Sequence, residues 1–250
     1  EFGSINDSSL KLVGSMKLFS VFTGTSTEDL AKSVGLMAAT SDLTNEQLMS
    51  QIKITKQMAQ QAGIPIKTIM SDVAQNTEFF ATFSKDGGQN IFAAATQARK
   101  LGISLSEVSK ISESLLDFET SIEKQLEAQV ILGKDINVDK ARQLAFAGDT
   151  EGLLQEVTRL AGSEAEFNKM SFLERQALAG AIGLSVEELT KLVRKENEAK
   201  AASNSFFNAT VGIAAALGGA LGLLIGGLTG GAGFARMAGY GLAGVGVGAG

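Results

Sequence analysis

The 250 residues hold 22 Lys and Arg against 27 Asp and Glu, a formal net charge of −5, and 44% are apolar. That is chain enough for a core, without the basic face a nucleic-acid binder needs. The chain has no Cys and no His, which removes disulfides, thiol and imidazole catalysis and nearly all zinc or haem sites, leaving only carboxylate-held metals open. With 6% aromatics and no Trp, the aromatic girdles of a membrane β-barrel and a base-stacking platform are both disfavoured.

The chain opens on Glu1-Phe2-Gly3-Ser4 with no signal peptide, as expected of an excerpt or a processed piece of a longer protein. Residues 1–9 read as a flexible stretch. From there to 202 the reading is all helix: one proline, and five capping boxes in which a Ser or Thr is followed three residues later by Glu or Gln. The boxes are Thr44/Gln47, Ser104/Glu107, Ser163/Glu166, Ser171/Glu174 and Ser185/Glu188. Helices are predicted at 10–22, 27–39, 44–62, 65–83, 90–101, 105–132, 138–147, 150–161, 164–169, 172–182 and 186–202. Pro65 suits the first turn of its helix, where a missing N–H costs nothing.

Three helix junctions share one form: Gly63-Ile-Pro-Ile-Lys-Thr-Ile, Gly102-Ile-Ser-Leu-Ser-Glu-Val and Gly183-Leu-Ser-Val-Glu-Glu-Leu. Each reads as a helix-ending glycine with a short link into a capped helix. The separations of 39 and 81 residues suit a helical-hairpin repeat with a period of about 40. The simpler alternative is helix–Gly–helix punctuation, which recurs in any protein of short helices.

In the predicted 105–132 helix, Val108, Ile111, Leu115, Phe118 and Ile122 follow 3-4-3-4 spacing, a heptad seam, and Leu126 and Val130 continue it at fours. Beside it run Glu119, Glu123 and Glu127, which read as a solvated face because no other polar group converges on them. Asp135-Ile-Asn-Val-Asp139 starts like a calcium loop, but Lys140 stands where the turn needs Gly, and Phe146 where a bidentate Glu belongs. It reads as a turn before the next helix. Gly133-Lys134 lacks the upstream glycine of a phosphate-binding loop. No cofactor, metal or catalytic set is assigned.

After Lys200 the only charged residue is Arg236, and Ala209–Leu228 carries none. That is long enough to span a bilayer as a helix. Gly218, Gly222, Gly226 and Gly230 recur every fourth residue, a stripe along which two backbones can approach closely and self-associate. Burial among partner chains explains the same composition. The basic residues Lys191, Arg194, Lys195 and Lys200 precede this segment as membrane-surface anchors, or as an ordinary exposed helix end balanced by Glu196 and Glu198. The expected organisation is therefore 1–9 flexible, 10–101 and 102–203 helical, and 204–250 a Gly/Ala-rich membrane-type segment.

The runs Leu132-Gly-Lys-Asp-Ile-Asn-Val-Asp-Lys-Ala-Arg-Gln-Leu-Ala, Ala147-Gly-Asp-Thr-Glu-Gly, Glu166-Phe-Asn-Lys-Met-Ser and Arg175-Gln-Ala-Leu-Ala-Gly-Ala-Ile-Gly-Leu-Ser-Val-Glu-Glu-Leu resemble a segment of tail tape-measure proteins of contractile-tailed bacteriophages. The resemblance is clearest over 129–193 and brings no catalytic residue. It implies a virion protein held in the tail-tube lumen that sets tube length during assembly. It also implies apolar segments that enter the host inner membrane on ejection to help DNA pass, with DNA met by passage and not by specific binding. The implied partners are further copies, expected as a trimer, together with baseplate-hub and tail-tube proteins and host membrane lipid. Tape measures usually contain very long helices and none is predicted here, so the chain would be a portion near the tail tip. The alternative from a different class is a pore-forming toxin whose helical body hides an apolar segment.

Overall fold

All five capping boxes form: Thr44, Ser104, Ser163, Ser171 and Ser185 each accept from the backbone N–H three residues on, and the Gln or Glu there accepts from the cap's own N–H. The computed structural model describes residues 7–198, and among these the chain is all-helical with no strand. Helices α1 (Asp7–Thr23), α2 (Thr27–Thr40), α3 (Asn45–Gln61), α4 (Ile66–Gln75) and α5 (Thr77–Phe83) lead through a 3₁₀ turn at Asp86–Gly88 to α6 (Gln89–Lys100). There follow α7 (Leu105–Leu116), α8 (Phe118–Leu132), α9 (Asp139–Ala147), α10 (Thr150–Ala161), α11 (Glu164–Lys169) and α12 (Phe172–Ala181), then α13 over 186–198.

Two predicted helices are each divided in two. The 65–83 helix breaks at Asn76 (φ −116°, ψ 52°), whose side-chain amide donates to the Asp72 carbonyl at 2.7 Å. The 105–132 helix breaks at Asp117 (φ −76°, ψ 82°), whose carboxylate accepts from Thr120 N and starts α8 afresh. In both, a short polar side chain competes with the helix for backbone hydrogen bonds. The five-residue seam is therefore not one stripe: Val108, Ile111 and Leu115 are buried on α7, whereas Phe118 and Ile122 are 49% and 48% exposed on α8.

The three glycine junctions share one turn. Gly63, Gly102 and Gly183 have φ of 70°, 79° and 78°, a region closed to most side chains. The next N–H reaches back to a buried alanine: Ile64 to Ala59 O (2.8 Å), Ile103 to Ala98 O (3.0 Å) and Leu184 to Ala179 O (2.9 Å). This is the Schellman closure of a helix end. Ile69, Val108 and Leu189, each the sixth residue after its glycine, are fully buried. A fourth junction, at Gly24 (φ 68°), has Ser26 capping α2 through Asp29 N and Leu30 buried at the sixth position. It stands 39 residues before Gly63, as Gly63 stands before Gly102. The aliphatic pattern misses it because Thr25 follows the glycine; Thr25 is buried nonetheless, its carbonyl accepting from Ser20 Oγ (2.7 Å).

Two of these junctions lock together. A methyl group on Gly102 would lie 2.9 Å from Lys195 Cγ, and one on Gly183 would lie 2.8 Å from Ser114 Cβ. Lys195 and Ser114 each stand twelve residues beyond their own turn glycine, so α7 and α13 meet in reciprocal register. The charges follow the same rule: Lys110 acts on Glu188, and Glu107 on Lys191. One continuous hydrophobic core then runs from α1 to α13, through Met37, Ile52, Phe80, Phe92, Ile103, Ile111, Val157 and Leu192, so the regions 10–101 and 102–203 share it over the described residues. Phe80 meets Phe92 edge-on with centroids 6.0 Å apart. Gly88 (φ 84°) admits no side chain, since a methyl there would lie 2.1 Å from Phe80 Cζ.

Candidate functional site

Much of the charge inside this body works as cross-bracing. Asp72 on α4 is nearly buried and accepts from Arg99 Nε of α6 at 2.6 Å and from its Nη2. That hydrogen-bonded carboxylate raises the Arg99 pKa against the opposing effect of burial. Buried Arg142 on α9 donates Nε to Ser121 Oγ (2.9 Å), Nη1 to Asp139 (2.6 Å) and Nη2 to Gln125 Oε1 (2.7 Å), tying α9 to α8. Buried Glu156 on α10 receives Arg159 Nε at 3.0 Å and Lys140 Nζ at 3.0 Å. The Arg159 hydrogen bond holds its carboxyl below the ordinary range against burial, with Lys140 assisting.

The Asp72–Arg99 pair also lines a cleft of about 420 Å³ with Ser26 and Asp29 of the α2 start and Lys67, Ser71 and Gln75 of α4. These groups offer hydrogen bonds and balanced charge. Among the described residues, no group of three or more His, Cys, Asp or Glu is placed to hold a metal ion. At the calcium-like stretch the polar side chains turn to separate partners: Asp135 accepts from Gln129, Asn137 from Asp139 N, and Asp139 from Arg142.

The basic residues before the apolar segment divide. Lys191 pairs with Glu187 at 2.7 Å, a hydrogen bond that raises its pKa. Lys195 lays its stem over Gly102, and Arg194 is exposed. Lys200 and the glycines Gly218, Gly222, Gly226 and Gly230 lie outside the described residues. Among the described residues, no helix is long and apolar enough to cross a membrane.

Two apolar faces point outward: one on α1, which the sequence pattern did not mark, and one on α8, the second half of the expected seam. On α1, Leu10, Val13, Leu18, Val21 and Phe22 are exposed while Leu12, Met16 and Phe19 pack inward. The available signal was that α1 (DSSLKLVGSMKLFSVFT) has no continuous polar side. On α8, Phe118, Ile122, Leu126 and Val130 form an exposed row at fours, and Phe172 and Leu173 are exposed at the start of α12, the principal neighbour of α8. Glu119, Glu123 and Glu127 stand exposed beside that row.

The chain matches no protein-family model, no curated protein and no solved structure.

Proposed function

We propose that this chain is a structural protein of a phage tail, a tape-measure portion near the tail tip. In this reading it is held in the tube lumen as a homo-oligomer, expected as a trimer, against hub and tube proteins. On ejection its 204–250 segment enters the host inner membrane to help DNA pass. The observation that carries the reading is the pair of outward apolar faces on α1 and on α8 with α12, since apolar patches of this kind mark surfaces meant for other chains. The runs between Leu132 and Leu189 that resemble tape-measure proteins are the reason for naming a phage tail as that assembly. The same reading takes the chain as a non-enzyme without a cofactor.

The three like turns at Gly63, Gly102 and Gly183 support a finer reading of the fold as helical hairpins of one repeated type, which favours a scaffold over a catalyst. The test is whether the chain is a component of purified tailed particles or only of the free soluble fraction.

A further inference from the structure

The two outward faces are complementary in charge as well as alike in being apolar. From Ser9 to the end of α1 there is no acidic residue, and Lys17 sits among Leu10, Val13 and Val21 on the exposed side. The α8 row is flanked by Glu119, Glu123 and Glu127, none of which makes an ion pair among the described residues. Lys134, just past α8, acts on Glu174 in the first turn of α12. Phe172 and Leu173 are exposed at the start of α12, the principal neighbour of α8, and add apolar surface on that second helix.

Within one chain these faces belong to elements with different principal neighbours, α2 and α3 for α1, and α7 and α12 for α8. Both remain open, Val21 and Phe22 being 74% and 77% exposed and Val130 and Phe172 82% and 71%. Each face exposes on the order of 600 Å², so joining them removes about 1,200 Å², the lower edge of a stable specific interface. An α8 face set against another α8 face would bring two glutamate rows together, which repels; an α1 face brings lysine to that row.

We infer that copies of this chain associate head to tail, the apolar, lysine-bearing face of α1 on one copy seating on the Phe118–Val130 row and Phe172–Leu173 of the next. Such a contact joins two different surfaces, so it closes into a ring or runs on as a filament. The inference stands apart from the tail reading, because it asks only for further copies of this chain.

The absence of Cys from these 250 residues makes the test clean. Val21→Cys and Val130→Cys versions of the 250-residue chain are oxidised separately and as an equal mixture, and disulfide-linked dimers are counted on non-reducing gels. Head-to-tail contact gives a mixed disulfide in the mixture and little in either sample alone. Adding Lys17→Glu to the Val21→Cys chain lowers the mixed product by about threefold or more, and Glu123→Lys in its partner restores it. No mixed product, or Val21–Val21 and Val130–Val130 dimers at equal yield, overturns the inference. Association driven by the 204–250 segment alone gives that second pattern, because it has no preference for the mixed pair.

Discussion

Ser114 on α7 lies against Gly183 so closely that a single methyl group on the glycine would sit 2.8 Å from the Ser114 Cβ, with the Ile111 Cα 3.2 Å away. Gly183 also has φ of 78°. Gly63 has nearly the same backbone, φ 70°, but nothing within 4 Å. Gly63→Ala therefore meets only the left-handed backbone penalty, about 1 kcal/mol. Gly183→Ala adds a clash with Ser114 Cβ and a tight approach to the Ile111 Cα and is expected to cost about 2 kcal/mol or more. Urea unfolding followed by circular dichroism reads the difference; equal costs would show that the α7–α13 register is not tight.

Arg142 is a second point of high sensitivity. Arg142→Ala removes the donors facing Ser121 Oγ, Asp139 and Gln125 Oε1 in a buried setting. The expected loss is about 2–4 kcal/mol, since stranded polar groups cost more than the net worth of their bonds. A shift below about 0.5 kcal/mol in the same assay would mean water replaces the guanidinium freely.

Acid should weaken the body in a stated window. Glu156 has its carboxyl held low by Arg159 against burial, with Lys140 assisting. For Glu188, burial pushes upward, but the Ser185 N–H and hydroxyl with Lys110 prevail and hold it low. A carboxyl lowered by folding contributes stability that is complete above its unfolded value, about 4.3, and is lost as pH falls through the folded value. The urea midpoint should therefore hold from pH 7 to about 5 and fall below about 4.3. Glu156→Gln should lower the pH 7 midpoint and flatten that fall. An unchanged acid slope in the variant would remove Glu156 from the account.

The apolar segment carries its own prediction. Gly222→Leu with Gly226→Leu fills the expected close-contact stripe and should reduce both the oligomer size of the detergent-solubilised chain and dye leakage from liposomes. Unchanged values for both would dissociate that stripe from self-association.

The helix ends were legible because their signals are local: a Ser or Thr with its Glu or Gln three residues on, and a glycine followed by an aliphatic residue. The breaks at Asn76 and Asp117 were not. The apolar spacing Val108, Ile111, Leu115, Phe118, Ile122 runs through Asp117 unbroken, and nothing in it tells that the chain turns there and carries Phe118 and Ile122 to the outside. The cross-braces were hidden for a related reason: 27 residues separate Asp72 from Arg99 and 21 separate Ser121 from Arg142, and only packing brings them together. The outward faces of α1 and α8 were present as apolar letters, but which way they point is settled by neighbouring helices.

The central claim is membership of a tail. An antibody raised against residues 100–195, applied to gradient-purified tailed particles beside the free soluble fraction of the same lysate, tests it most directly. The account predicts signal in the particle band that persists through repeated banding. Signal confined to the soluble fraction, with none in particles, contradicts it and favours a membrane-inserting toxin.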